Sequence, residues 1–262
     1  MLRRLMAGEL TETEAEAELR STQLVELAGA ARLDLGRTER RGLPEVVLAE
    51  GKDPEAAAQL AVRLAQEQGQ GLISRLSESH WAALEPLVEA NGLELRRYHS
   101  AARILRPGEE PEPRGGRVAL VTAGTSDLAV ADEARMLVDA CGLESRLVTD
   151  VGVAGLHRLL TPLSQLLAWD PDVFICAAGM DGVLPGVVAG LVPQPVIGLP
   201  VPTGYGAGGQ GEAALMTMLQ SCATGLLVVN VGNGVGAGAA AALIAARVGV
   251  ERGLSQPARR PR

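Results

Sequence analysis

The chain has 262 residues, of which 47% are hydrophobic and only 2% aromatic, and its formal net charge is −7. This length allows one large domain or two modest ones, with a core that must be aliphatic because aromatic residues are so few. The acidic balance and the scarcity of aromatic rings argue against a nucleic-acid or anionic-membrane surface, so we expect neither a nucleic-acid nor a membrane partner.

The sequence also lacks the usual signs of export and of a cysteine framework. The first residues carry Arg3 and Arg4 but then alternate Glu and Ala, unlike a signal peptide. No apolar stretch of about eighteen residues stands out as a membrane span, and we expect a cytoplasmic protein. The three cysteines, Cys141, Cys176 and Cys222, have no short spacing, which argues against a disulfide framework or a cysteine zinc site.

Residues 1–105 are predicted to form a small α+β domain. Its first helices, at 1–7 and 11–27, are separated at Gly8, and Thr11 with Glu14 fits a capping box. The charged segment 33–42 is predicted to be irregular, and the weakly alternating segment 93–105 to be an edge strand. The other predicted elements are strands at 44–51 and 71–74 and helices at 54–68 and 80–90.

Residues 106–116 are rich in Pro, Gly and Glu and are predicted to be a linker, and 251–262 a flexible tail. Between them, at 117–250, apolar strands alternate regularly with helices. This alternation predicts an α/β domain with a parallel sheet that is covered by helices on both faces. The strands are expected at 118–122, 145–149, 173–177, 195–201 and 226–231, and the helices at 128–140, 156–168, 184–191, 212–222 and 239–248.

Small and polar residues cluster where these strands end. Ligands of open parallel sheets bind beyond the carboxyl ends of the strands, where backbone amides and helix starts favour an anion. Ser126 and Asp127 open the first helix there, either as caps or as groups facing a ligand. His157 and Arg158 open the second helix, either as structural residues or as a phosphate or carboxylate site.

The loop after the fourth strand matches G-x-G-x-x-G at Gly206, Gly208 and Gly211. The acidic residue that a dinucleotide-binding fingerprint needs about twenty positions further on is absent, because the next strand ends in Asn230 and Asn233. We interpret the loop as a phosphate or backbone contact rather than a site for a hydride-transfer cofactor.

Two further residues have both a structural and a chemical interpretation. Asp181, in a glycine-rich loop, can adopt an unusual backbone angle or act as an acid/base group. Cys222 extends an apolar helical stripe with Leu215, Met218 and Leu219, and from spacing alone it is a structural thiol that precedes a strand buried on both faces. Cys141 and Cys176 also have structural positions.

Three segments resemble LarB, the carboxylase of nickel-pincer cofactor biosynthesis, which is similar in turn to the PurE carboxylases. They are 123–127 (AGTSD), 178–185 (AGMDGVLP) and 221–238 (SCATG to NVGNGVGAG). In the amino-terminal part, Arg37, 41–46 (RGLPEV) and 50–52 (EGK) resemble another run of that family. The resemblance covers about residues 33–248 and implies a PurE-like, flavodoxin-like sheet domain.

The resemblance also implies a reaction. Nicotinic acid adenine dinucleotide, CO2 or bicarbonate, and water would give pyridinium-3,5-biscarboxylic acid mononucleotide and AMP. Cys222 would add to the pyridinium ring as a nucleophile, and Asp181, where the family usually has Glu, would remove the ring proton. Ser126, Asp127, His157 and Arg158 would hold phosphates and ribose, with Arg37 or Lys52 near the adenine.

Magnesium would assist the hydrolysis, with Asp127 and Asp150 as candidate ligands. No tightly bound organic cofactor is expected. The PurE-like arrangement implies a homo-octamer, and the small residues of the helix at 239–248 would allow close packing of subunits. Two alternatives are an aminoimidazole ribonucleotide carboxylase or mutase, whose central loop usually carries a histidine where this chain has Asp181, and a dinucleotide-binding sensor without turnover.

Overall fold

The computed structural model of the chain describes residues 2–20, 24–27 and 31–252. They fall into two compact units, one formed by 2–96 with 102–110 and the other by 97–101 with 111–252. Residues 106–116, the predicted linker, contain no helix or strand. Most of the predicted tail, from residue 253 on, lies outside the described residues, and the predicted domain bounds stay predictions.

The first unit begins with two helices, α1 (Leu2–Met6) and α2 (Glu12–Arg20). The predicted capping box is confirmed, since the Thr11 amide donates to Glu14 and the Glu14 amide donates to the Thr11 hydroxyl. The prediction of one helix through residue 27 is wrong. Strand β1 (Leu24–Leu27) pairs antiparallel with β2 (Ala31–Asp34), and the pairing between two strands replaces the helical continuation that the sequence suggests.

A four-stranded sheet follows, in the order β3 (Val46–Leu48), β4 (Gln70–Ser74), β6 (Ala101–Leu105) and β5 (Glu94–Tyr98). Strands β3 and β4 are parallel and joined by a long helix, and a second helix packs beside the first over an aliphatic core. Segment 33–42, predicted to be irregular, contains the end of β2 and a short helix, α3. The elements are α3 (Arg37–Arg41), β3 (Val46–Leu48), α4 (Pro54–Gln68), β4 (Gln70–Ser74), α5 (Glu78–Ala90), β5 (Glu94–Tyr98) and β6 (Ala101–Leu105).

The segment predicted as one edge strand at 93–105 is two strands, and only the first is at an edge. β6 lies between β4 and β5 and is buried along its whole length. Arg103 in its middle is only 2% exposed, and its Nε donates to Gln70 at 3.0 Å. Arg103 interrupts the run of apolar residues that predicts a buried strand, so the sequence suggested an edge strand instead. A core accepts an arginine when its guanidinium is hydrogen-bonded.

The second unit is a five-stranded sheet in which every neighbouring pair is parallel. Each strand is followed by a helix, as the alternation predicts, and most bounds agree with the predicted ones within two residues. The elements are β7 (Arg117–Thr122), α6 (Leu128–Ala140), β8 (Glu144–Val148), α7 (His157–Trp169), β9 (Val173–Ala178), α8 (Leu184–Ala189), β10 (Val196–Pro200), α9 (Glu212–Leu219), β11 (Leu226–Val228) and α10 (Gly234–Glu251).

The strand order is β11-β10-β9-β7-β8. Counted within this unit, it is the 2-1-3-4-5 order of flavodoxin-like folds, with the reversal of direction between β7 and β9. Helices α7, α8 and α9 pack on one face of the sheet, where Phe174 and Cys176 point, and α6 and α10 pack on the sheet as well and against each other. The predicted fold class, a parallel sheet with helices on both faces and a small α+β unit before it, is confirmed.

The carboxyl-terminal part of the sheet differs from the prediction in two ways. β11 is three residues long, forms an edge of the sheet and leaves Leu227 exposed, so it is not a strand buried on both faces. Helix α9 ends at Leu219, so Cys222 lies in a loop outside it. The predicted apolar stripe is also wrong, because Leu219 and Cys222 are exposed and only Met218 is buried.

Helix α10 begins earlier than predicted because Asn233 caps it, accepting a hydrogen bond from the Gly236 amide at 2.8 Å. Its small residues pack against α6, where a Cβ atom at Gly238 would lie 2.5 Å from the Ala134 carbonyl oxygen. By length and hydropathy α10 qualifies as a possible membrane span, contrary to the expectation of no such segment. Nearly half of it is buried within the unit, and the core helix of a globular domain can have the same length and hydropathy.

Candidate active site

An open cavity of about 600 Å³ lies at the carboxyl ends of β7, β9 and β10, where the strand order reverses. The loops after β7, β8, β9 and β10 contribute to it, as expected for a ligand site of this fold. Four of the predicted site residues line it: Ser126, Asp127, Arg158 and Asp181. Glycine allows the loops to meet, since a Cβ atom at Gly179 would lie 2.3 Å from the Thr203 carbonyl oxygen.

Asp127 is the buried polar group of this cavity, with only 3% of its surface exposed. Its carboxylate accepts hydrogen bonds from the Gly124 amide at 2.8 Å and the Thr203 hydroxyl at 3.0 Å, and it does not cap α6. Burial raises the pKa of the Asp127 carboxyl, and the hydrogen bonds from Gly124, Thr203 and Gly179 oppose that rise. Asp127 thus fixes two loops to each other at the floor of the cavity.

Asp181 lies at the rim of the same cavity and is exposed. Its Oδ1 accepts a 3.3 Å hydrogen bond from the Val183 amide. The residues on either side, Met180 and Gly182, have φ angles of 46° and 64°, so the unusual backbone angles belong to its neighbours. The carboxylate is therefore available to a ligand, as a general base requires.

Arg158 lines the cavity, and its Nη1 donates to Asp150 Oδ2 at 2.7 Å. This contact joins the start of α7 to the loop after β8, and the pair is largely exposed. His157, the first residue of α7, is exposed and is not among the cavity-lining residues. Arginine retains further donors for an anion while it pairs with one carboxylate.

The three thiols differ in exposure. Cys141 and Cys176 are buried, and Cys222 is exposed. Cys222 precedes β11, on the side of the sheet where the strands begin, whereas the cavity is formed where the strands end. It is not a lining residue of the cavity in its own chain, although neighbouring Ser221 lies beside Gly186, two residues after the lining residue Leu184.

The other predicted ligand residues do not line the cavity. From the sequence, Gly206, Gly208, Asn230 and Asn233 were also predicted to bind the substrate. Gly206 and Gly208 lie further along the loop after β10, where Gly206 has a φ of 78°. Asn230 is exposed and accepts from the Val231 amide at 2.9 Å, and Asn233 serves as the cap of α10. Their roles toward a substrate stay predictions.

The fit of the proposed magnesium ligands is poor in this arrangement. The oxygens of Asp127 already accept protein hydrogen bonds, and Asp150 is paired with Arg158. Within residues 2–20, 24–27 and 31–252, no group of three His, Cys, Asp or Glu side chains is arranged to hold a metal. These two carboxylates therefore do not fit a magnesium site as they stand, and the assignment of magnesium to Asp127 and Asp150 stays a prediction.

Two residues of the cavity, Thr203 and Tyr205, were not predicted from the sequence. Thr203 donates a hydrogen bond to Asp127. The sequence feature that could have indicated it is a hydroxyl side chain directly after the end of a strand. Tyr205 stands at the rim and is 81% exposed. In the first unit a separate polar cavity of about 490 Å³ is lined partly by Glu39 and Arg106, and neither Arg37 nor Lys52 lines it.

Two family descriptions match the chain, one for each part. Residues 117–253 match the AIR carboxylase family, and residues 25–108 match the LarB/PurE-like N-terminal domain. The chain is a LarB-family member of the PurE-like carboxylases. The suspected LarB resemblance is thereby confirmed at the level of the family.

Relatives of this LarB-family chain include proteins of Methanocaldococcus jannaschii. An uncharacterized protein of that organism is 35% identical over 245 residues, spanning 91% of this chain and 93% of the relative. Its N5-carboxyaminoimidazole ribonucleotide mutase is 35% identical over 85 residues, which cover 32% of this chain and 52% of the mutase. The crystal structure of a Treponema denticola PurE2 variant is similar with a TM-score of 0.41 and 24% identity, covering 51% of this chain and 79% of that one.

Proposed function

We propose that this LarB-family chain carboxylates the pyridinium ring of nicotinic acid adenine dinucleotide and hydrolyses its phosphoanhydride. The products are pyridinium-3,5-biscarboxylic acid mononucleotide and AMP, as in nickel-pincer cofactor biosynthesis. The observation that carries the proposal is the exposed thiol of Cys222 in a carboxylase-family chain whose two other thiols are buried. A nucleophile must be reachable by its substrate, and only Cys222 meets that condition.

The thiol solves a chemical problem that the substrate poses. A pyridinium carbon is electron-poor and does not attack CO2. When the Cys222 thiolate adds to the ring, a C–S bond forms and the ring becomes a neutral, electron-rich dihydropyridine. The ring carbon then attacks CO2, a base removes the proton from that carbon, and expulsion of the thiolate restores the aromatic ring.

The residues of the cavity have matching roles in this scheme. Asp181, exposed at the rim, accepts the proton that leaves the ring. Arg158 holds a phosphate through donors not used by Asp150, and the exposed Ser126 faces the ribose from the loop that Asp127 anchors. The helix α6 that begins at Leu128 adds a favourable dipole for a phosphate at the same edge.

The separation of Cys222 from the cavity of its own chain supports a site shared between copies. The surface near Cys222 carries exposed apolar side chains on α9 and β11, namely Met216, Leu219 and Leu227. A second copy that covers this surface would bring its own cavity close to the thiol, which accords with the expected homo-octamer. The small residues of α10, by contrast, are largely used for packing against α6.

Mixing two strongly impaired variants tests the shared site. In an oligomer assembled from equal amounts of Cys222→Ser and Asp181→Asn chains, about a quarter of shared sites combine an intact Cys222 with an intact Asp181 from different chains. Recovery of about that fraction of activity supports sharing. No recovery, with mixed assembly shown by native mass spectrometry, means that each chain uses its own thiol.

Mass spectrometry of the products tests the reaction itself. The protein is incubated with the dinucleotide, bicarbonate and magnesium, and we expect the biscarboxylated mononucleotide and AMP. The similarity to the ribonucleotide mutase makes N5-carboxyaminoimidazole ribonucleotide the second substrate to try. Turnover of that compound alone would contradict the proposal, and binding of the dinucleotide without any product would indicate a sensor.

A further inference from the structure

The exposure of Tyr205 is unusual for this chain, which has five aromatic residues in all. The other four are partly or fully buried: Trp81, Tyr98, Trp169 and Phe174. Trp169, for example, is covered by the Arg146 guanidinium, 4.6 Å from its ring centroid. Tyr205, by contrast, is 81% exposed. The ring contributes little to the packing of the fold.

Tyr205 stands at the rim of the cavity that holds Asp127 and Asp181. It is flanked by Gly204 and Gly206, and Gly204 approaches Met180 closely enough for a Cβ atom there to lie 3.7 Å from the Met180 sulfur. Met180 also lines the cavity and is half exposed. The rim therefore offers an aromatic face and a polarisable thioether next to the carboxylate of Asp181, a combination that suits a flat ring.

We propose that Tyr205 is a positioning residue that stacks on the positively charged pyridinium ring of the substrate. This inference rests on the proposed function and adds the residue that selects the ring. The face of a tyrosine ring carries negative potential and attracts a cation that lies over it. Stacking at the rim keeps the ring in the same cavity as Asp181, the base that takes its proton.

Isothermal calorimetry with two mononucleotides measures this contact without turnover. The probes are nicotinic acid mononucleotide, which carries the cationic ring, and AMP, which carries the other half of the dinucleotide. Bicarbonate and magnesium are omitted. We expect Tyr205→Leu to weaken binding of the pyridinium probe about tenfold and Tyr205→Phe to bind within about twofold of the unaltered protein. AMP binding should change in neither variant.

The matched pair separates the ring from other roles. Leucine keeps apolar bulk but has no aromatic face, and phenylalanine keeps the face but has no hydroxyl. Unchanged pyridinium binding in Tyr205→Leu overturns the inference, as does equal weakening by Leu and Phe, a selective loss of AMP, or no binding of the pyridinium probe to the unaltered protein. If the expected pattern appears but the protein forms no carboxylated product, the inference stands and the proposed function fails.

Discussion

The middle of the sheet and its β11 edge each carry a cysteine, and the two thiols have opposite surroundings. Cys176 lies in β9 within the core that α7, α8 and α9 cover, and burial raises the pKa of its thiol far above the ordinary value. Cys222 lies in the exposed loop before β11. A thiolate is the reactive form of cysteine, and an apolar core suppresses it.

The difference in exposure between Cys176 and Cys222 separates two roles of cysteine, one in packing and one in chemistry. Cys176 acts as a small hydrophobic side chain that fills the sheet interior. Cys222 has little packing to contribute and is open to a substrate. The chemical role is therefore expected at the β11 edge of the sheet, where the thiol is exposed.

Substitution of the exposed thiol should have the largest effect. We expect Cys222→Ser to lower carboxylation on the order of a thousandfold, because a hydroxyl adds poorly to the ring and leaves poorly from it. Binding of the dinucleotide, measured by calorimetry, should change little. The control is Cys176→Ala, which should keep the rate but lose about 1 kcal/mol of unfolding free energy. Full activity of Cys222→Ser would remove the distinction between the two regions.

Removal of the proposed base should have the next largest effect. Asp181→Asn should slow turnover on the order of a hundredfold, since the ring proton then has no positioned acceptor. Asp181→Glu, which supplies the family's usual carboxylate, should retain most activity. Asp170→Asn is the control, because Asp170 is an exposed aspartate that pairs with Arg252 away from the cavity. An equal loss in both asparagine variants would exclude a specific role for Asp181.

Asp127 makes stability depend on pH. A carboxyl group with a raised native pKa stabilises the fold when protonated; that contribution is complete below the ordinary value of about 3.9 and is lost as pH rises through the native pKa. The unfolding free energy of the unaltered protein should therefore fall relative to Asp127→Asn as the pH rises above the ordinary carboxyl pKa of about 3.9. Chemical denaturation across that range measures the slope, and any constant effect of the amide cancels. A flat or rising difference would contradict the assigned shift.

The smallest predicted effect concerns Thr203. Thr203→Val removes the hydroxyl that donates to Asp127 and should cost about 1–2 kcal/mol of unfolding free energy. Thr203→Ser keeps the donor and should lose less. The pH slope attributed to Asp127 should steepen in the valine variant, because one of the interactions that opposes the raised pKa is gone. Identical slopes would mean that the hydrogen bond does not couple to the charge.

Helix bounds were predicted best where local signals mark both ends. α4 was predicted as observed, from Pro54 at its first position, and the structure shows that Asp53 caps its start and that Gly69 adopts a φ of 82° at its end. β1 was missed because the spacing of apolar residues in 11–27 suggested a helix and does not show the pairing of β1 with β2, whose partners lie four to ten residues further on. β11 was predicted to be buried from its apolar composition, but composition cannot tell an edge strand from a central one.

The site was predicted in the same uneven way. The rule that ligands bind at the carboxyl ends of parallel strands identified Ser126, Asp127, Arg158 and Asp181, all of which line the cavity. Residue spacing could not show that Asn233 serves as a helix cap or that Asp150 pairs with Arg158. The first is a contact at a helix start and the second joins the loop after β8 to the start of α7, and both use side chains that were predicted to bind a ligand. Tyr205 was not predicted as a site residue because its exposure, which only the structure shows, is what distinguishes it from the other aromatic residues.

The most direct test of the covalent role is to trap the adduct. The protein is incubated with nicotinic acid adenine dinucleotide in the absence of CO2 and bicarbonate, quenched, and mapped by peptide mass spectrometry. We predict the added mass of the pyridine nucleotide on the peptide that contains Cys222, and its absence in Cys222→Ser. An adduct on Cys141 or Cys176, or carboxylated product formed by a protein that never carries an adduct at Cys222, would contradict the account.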